Sequence, residues 1–162
     1  MTNSFGTPPE ANSLQPNGLQ GDEKMLALFS HLSLFLGGII LPIIFWATNK
    51  DKSKFVTFHS LQALWFHIAY IALIIVWVFV FVFIAIIGGA GLGMFSQATG
   101  SKEMPVIFII MMAAFYIMLF AIIFGAIGYS IYMGIKSYQG NLVKYPIIGK
   151  RVYAKVYGAG SQ

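Results

Sequence analysis

Three stretches of this chain each run for more than twenty residues without an Asp, Glu, Lys or Arg: residues 25–47, 59–89 and 105–134. At the α-helical rise the first alone would measure roughly 34 Å, enough to cross a hydrocarbon layer about 30 Å thick. Only 9% of the 162 residues are charged, 58% are hydrophobic, and the mean hydropathy is +0.79. Soluble domains carry roughly 25% charged residues. So little charge cannot shield this much apolar surface from water, and lipid is the solvent that fits. The expected fold is all-α: an integral membrane helical bundle of three apolar segments followed by an interfacial basic tail.

The segments differ in character. Residues 1–21 are polar, rich in Pro, Gly, Asn, Ser and Gln, and read as a disordered tail. They lack the basic start and apolar run of a secretory signal. In segment 25–47, Gly37, Gly38 and Pro42 weaken the middle, because proline removes a backbone donor and crowds the preceding turn. A kinked span is expected there, with a re-entrant hairpin as the competing reading. A short loop, residues 48–58, carries Lys50, Lys52 and Lys54 against Asp51.

Segment 59–89 would be roughly 46 Å long as one helix, too long for the hydrocarbon alone. His59, Gln62, Phe66, His67 and Tyr70 share one helix face by their three-and-four spacing. Residues 90–104 read as a Gly-rich loop, after which Pro105 opens the third segment at little cost. Along that segment Ala114, Ala121, Gly125 and Gly128 form a small-residue stripe. Such stripes let helix backbones approach closely in lipid. These four are candidate helix-packing positions.

Beyond the third segment, tyrosines alternate with cations: Tyr138, Lys144, Tyr145, Lys150, Arg151, Tyr153, Lys155 and Tyr157. Rings settle at headgroup level and cations attract anionic lipid. Lys144, Lys150, Arg151 and Lys155 are therefore candidate lipid-headgroup contacts in an interfacial tail, residues 146–162, that follows a membrane domain, residues 22–145. The net charge of +5 comes without any nucleic-acid-binding module, so no nucleic acid is expected as a partner. With three spans, loop 48–58 and the C-terminus share a side and hold eight of the ten Lys and Arg residues. The positive-inside rule assigns that side to the cytoplasm and leaves the N-terminus outside.

Chemistry is sparse. No ionisable Asp, Glu, Lys or Arg lies at depth, where ion-coupled transporters usually need one. No nucleophile–base–acid set stands out, and the Gly-rich residues 88–93 lack the Lys and Ser/Thr of a phosphate loop. With no cysteine, thiol chemistry is excluded. The protein is expected to be a non-enzyme without a cofactor. His31, His59, Gln62 and His67 remain as candidate structural polar positions. A three-span arrangement separates His31 and His67 by about 20 Å of depth, too far for one ion with ligand bonds near 2 Å, so no metal site is expected.

Three stretches carry a family resemblance. They are Leu28-Phe29-Ser30-His31-Leu32-Ser33, then Lys52-Ser53-Lys54-Phe55-Val56-Thr57-Phe58-His59-Ser60-Leu61-Gln62-Ala63-Leu64, and Ile135-Lys136 with Gly140 and Tyr145-Pro146. This order resembles a family of small bacterial and archaeal membrane proteins of uncharacterised function, similar to the channel component of the chloroplast inner-envelope protein translocon. The resemblance covers residues 22–145. It departs at Trp65 and His67, where relatives often carry Asn and Gln. It implies a helical bundle in a prokaryotic plasma membrane. The function expected first is a scaffold or accessory subunit of a membrane complex, as a homo-oligomer or with other membrane proteins. A translocation or conduction module formed by an oligomer, and a sensor of membrane state working through the basic tail, are the alternatives.

Overall fold

A computed structural model describes residues 18–36, 38–100 and 106–158, and every regular element among them is helical. The helices are α1 (Gly21–Leu36), α2 (Ile40–Asn49), α3 (Lys54–Thr99), α4 (Val106–Tyr138) and α5 (Ile148–Tyr157). The all-helical class expected from the sequence is found. The third span is not: α3 and α4 are the two helices long and apolar enough to cross a membrane.

The first apolar segment is two short helices packed against each other rather than one kinked rod. With 16 and 10 residues, α1 and α2 are roughly 24 and 15 Å long, each short of the hydrocarbon thickness. Gly38 makes the break. It adopts φ +54°, in the left-handed region that a side chain disfavours, and its N–H donates to the Ser33 carbonyl at 2.6 Å, which satisfies one of the carbonyls left open at the end of α1. Pro42 then falls in the first turn of α2, where a missing backbone donor costs nothing. Glycine and proline, expected to bend one helix, instead end one and start the next.

Two further boundaries differ. The basic loop is shorter than residues 48–58, because α3 starts at Lys54. Ser53 Oγ accepts the Val56 N–H at 3.2 Å, and Thr57 Oγ donates to the Ser53 and Asn49 carbonyls. The helix also runs through residues 88–93 to Thr99, which shortens the expected Gly-rich loop. In lipid a backbone that leaves the helix strands its polar groups, so glycines that would loosen a helix in water are held in it. The 46 residues of α3 give it a length of roughly 69 Å, well beyond one hydrocarbon layer. Of the tail, residues 1–17 lie outside the described residues, and α1 opens at Gly21.

The chain divides into two compact units, one formed up to Ala69 and from Ile127 onward, the other Tyr70–Ala126. The second unit is a pair of helical stretches whose apolar side chains face outward: Phe79, Phe83 and Ile117 are each about two-thirds exposed. Between its helices, Phe81 stacks on Phe115 with ring centroids 3.7 Å apart. The first unit holds the core. Leu19, Ala27 and Phe55 form one buried apolar cluster, and Phe58, Leu61 and Val152 a second, which seats α5 on the first turns of α3.

Candidate functional site

Among the described residues, the buried polar side chains lie inside the first unit. Residues 55–63, the first turns of α3, are all buried, and His59, Ser60 and Gln62 among them are fully enclosed. A helix buried on all sides at its start has to satisfy its polar side chains against other helices. Ser60 Oγ lies 2.9 Å from Ser30 Oγ of α1, one hydroxyl donating to the other. His31 Nε2 lies 3.1 Å from His59 Nδ1, and His31 Nδ1 lies 3.1 Å from the Tyr145 hydroxyl. Ser130 Oγ of α4 donates to the His31 carbonyl. His31 is thus gripped by three other elements.

The donors and acceptors can be assigned in one consistent order. Tyr145 O–H donates to His31 Nδ1, and His31 Nε2–H donates to His59 Nδ1. His59 Nε2–H then points at the backbone of Asn141, which faces that ring without completing a hydrogen bond. Both imidazoles are neutral in this arrangement. Burial, and then the neighbouring His59 and His67, hold His31 well below the ordinary imidazole range. Burial and then Tyr129 push the Tyr145 phenol well above its ordinary value.

Gln62 fastens the segment after α4. Its Oε1 accepts the Tyr145 N–H at 2.8 Å and its Nε2 donates to the Val143 carbonyl at 3.0 Å. Phe66 stacks on the Tyr145 ring at 4.5 Å and 10°. The turn into α5 passes so close that a Cβ on Gly149 would lie 2.6 Å from Lys144 Cβ and 2.7 Å from Gln62 Oε1. Only glycine fits there without a shift of the chain.

The candidate polar positions therefore divide. His31, His59 and Gln62 meet in one cluster. His67 is buried beside them, within electrostatic range of His31, and the Gly38 backbone faces it although neither ring nitrogen completes a hydrogen bond. The expected 20 Å of depth between His31 and His67 is overturned. It assumed that α1 and α2 formed one rod, whereas the turn at Gly38 returns the chain to the same end. Among the described residues no three His, Cys, Asp or Glu side chains gather as an ion would require.

The stripe residues Ala114, Ala121, Gly125 and Gly128 are all exposed, and a Cβ on either glycine would meet nothing within 4 Å. Within the chain, close approach on α4 occurs instead at Gly134, where a Cβ would meet Leu28 of α1 at 3.0 Å. Lys144, Lys150, Arg151 and Lys155 are exposed, and Lys144 Nζ sits 3.7 Å above the Tyr153 ring.

Sequence reasoning missed Tyr145 and Ser130. Tyr145 looked like one more interfacial ring, and the signal that set it apart was the proline after it, which stops a helix from forming through it. Ser130 is a single hydroxyl in the apolar run of α4, and a lone hydroxyl there looks for a partner on another helix.

Residues 22–152, which contain the whole cluster and the first half of α5, match the magnetosome magnetite crystal formation protein family, MamF/MmsF. The chain belongs to that family. No curated protein and no solved structure matches it. Membership agrees with the expected small prokaryotic membrane protein and carries no support for the likeness to the chloroplast translocon. The match starts at α1 and reaches Val152, where α5 packs on Phe58 and Leu61, so the family's extent coincides with the elements that hold the cluster together.

Proposed function

We propose that this protein is a non-catalytic, two-span component of the magnetosome membrane that serves magnetite crystal formation as a scaffold or accessory subunit. The observation that carries this reading is the division of labour between the two units. The hydrogen bonds that join His31, His59, Gln62 and Tyr145 run between elements of the first unit, which makes this cluster a lock on the fold. The second unit offers apolar faces and, between Tyr70 and Ala126, only Lys102 and Glu103 as charges. A protein built this way acts by where it sits and what it packs against. The exposed stripe through Gly125 and Gly128 is the surface we assign to a second copy or another membrane protein.

Two spans also change the topology. Residues before and after the helical pair then share a side, and that side carries nine of the ten Lys and Arg residues, all except Lys102. The positive-inside rule makes it cytoplasmic, with both termini there.

The test is a deletion in a magnetite-forming host, with crystals sized by electron microscopy and the tagged protein followed through purified magnetosomes. The tagged protein is expected in the magnetosome membrane fraction. Crystal size or shape is expected to change on deletion and to recover with the intact gene. Absence from that fraction together with unchanged crystals would refute the proposal.

A further inference from the structure

The most informative surface left over is a groove beside α5. It has a volume of about 270 Å³ and is lined by Trp65, Ile147, Ile148, Arg151, Val152 and Lys155. That volume lies near the lower end for small-ligand sites, roughly 300 Å³. Arg151 and Lys155 are one helical turn apart and so share a face of α5. Both are exposed, and neither has a carboxylate partner among the described residues. Trp65 and Ile147 supply the apolar wall and are about half and three-quarters exposed.

We propose that this groove is a binding site for the headgroup of an anionic phospholipid, with the phosphate between Arg151 and Lys155 and the start of the acyl chains along Trp65. This rests on the two-span reading, which leaves α1, α2 and α5 outside the hydrocarbon. Charge complementarity selects the ligand: two cations at the rim without an ion pair among the described residues, one with a guanidinium fork suited to phosphate oxygens. Position selects its source. Trp65 stands three residues before the uninterrupted apolar run 68–87 of α3, at the level where tryptophan settles between hydrocarbon and headgroups. Ile147 completes the wall at a cost: its φ of 65° is unfavourable for a β-branched residue, and its side chain is held outward, where lipid rather than water would receive it. The other nearby cations are placed differently. Lys144 is over the Tyr153 ring, and Lys150 lies outside the groove lining.

Trp65 is itself the reporter. The full chain carrying Trp46→Phe and Trp77→Phe keeps Trp65 as its one tryptophan. Reconstituted in phosphatidylcholine nanodiscs, its fluorescence is titrated with brominated phosphatidylglycerol or brominated phosphatidylcholine. Phosphatidylglycerol should reach half-quenching at a mole fraction at least about fivefold lower, the factor expected from a single cation near an anionic headgroup. R151Q/K155Q should abolish that preference and K150Q should leave it in place. Equal quenching by both lipids would overturn the site while leaving the membrane placement intact. No quenching by either lipid would overturn both. Native mass spectrometry of the unaltered chain with equal amounts of the two lipids repeats the comparison without tryptophan replacement. Retained phosphatidylglycerol that is lost in R151Q/K155Q supports the site, and retention of both lipids alike rejects it.

Discussion

Replacing Gln62 with Leu removes the side chain that ties the segment after α4 to α3. The substitution keeps the volume similar and leaves two backbone groups behind, the Tyr145 N–H and the Val143 carbonyl, now held at 2.8 and 3.0 Å by the two ends of the amide. The Tyr145 N–H is buried, and a buried donor without a partner costs about 1–3 kcal/mol. The Val143 carbonyl is only partly buried and recovers some of its loss from water. Together the loss should be about 2–4 kcal/mol, a large share of a net stability of roughly 5–15 kcal/mol. The assay is reversible unfolding in mixed micelles, followed by tryptophan fluorescence and circular dichroism. Phe79→Leu serves as the control, since Phe79 is exposed in the second unit and should move the midpoint little. A change below about 0.5 kcal/mol for Gln62→Leu, on the scale of ordinary surface substitutions, would mean that the cluster does not hold this segment.

Other consequences follow from the same geometry. Gly149→Ala should cost about 1–3 kcal/mol by forcing Lys144 and Gln62 apart, and hydrogen exchange along α5 should rise; unchanged exchange would contradict the close approach. Gly125→Leu should leave the unfolding of the isolated chain within about 0.5 kcal/mol, since nothing lies near that position, while reducing any oligomer seen by mass measurement in mild detergent. Unfolding of the monomer at lower denaturant would show instead that the stripe packs within the chain. Acid should destabilise the first unit. His31 is held well below the ordinary imidazole range by burial, so between that lowered value and about pH 6.5 the unfolded chain binds the proton that the folded chain refuses. Stability is therefore fully present above about pH 6.5 and falls with pH below it, and His31→Asn should flatten the slope. A variant as acid-sensitive as the parent would exclude His31 as the source.

The membrane character and the all-helical class were legible because uncharged length has one physical solution in lipid, the internally bonded helix. The two long apolar helices follow from the same uncharged length, and the shared face of His59, Gln62 and His67 from their three-and-four spacing. What the sequence concealed was long-range. Gly38 and Pro42 mark a weak point in either reading, and whether it bends or folds back depends on α1 finding Ser60, His59 and Ser130 as partners, 30, 28 and 99 positions away in the chain. Counting apolar length favoured a span, and the buried polar pairing outweighs it. Residues 88–93 failed for the opposite reason: glycine is a turn signal in water, and its cost in a helix falls where no water competes for the backbone. Tyr145 resembles Tyr138, Tyr153 and Tyr157 as an aromatic among cations; Pro146 marks it as lying outside a helix, and its partner 114 positions upstream gives it its role.

The central claim is that α1 and α2 do not cross the membrane, and thiol labelling tests it most directly in a chain that has no cysteine of its own. Single cysteines are placed at Ser13, Ser53 and Ser101, and sealed vesicles are treated with a membrane-impermeant reagent before and after lysis. Two spans predict that positions 13 and 53 behave alike and that position 101 behaves oppositely, whichever way the vesicles face. If position 13 labels with position 101 and against position 53, the first segment crosses the membrane, and the two-span account is wrong.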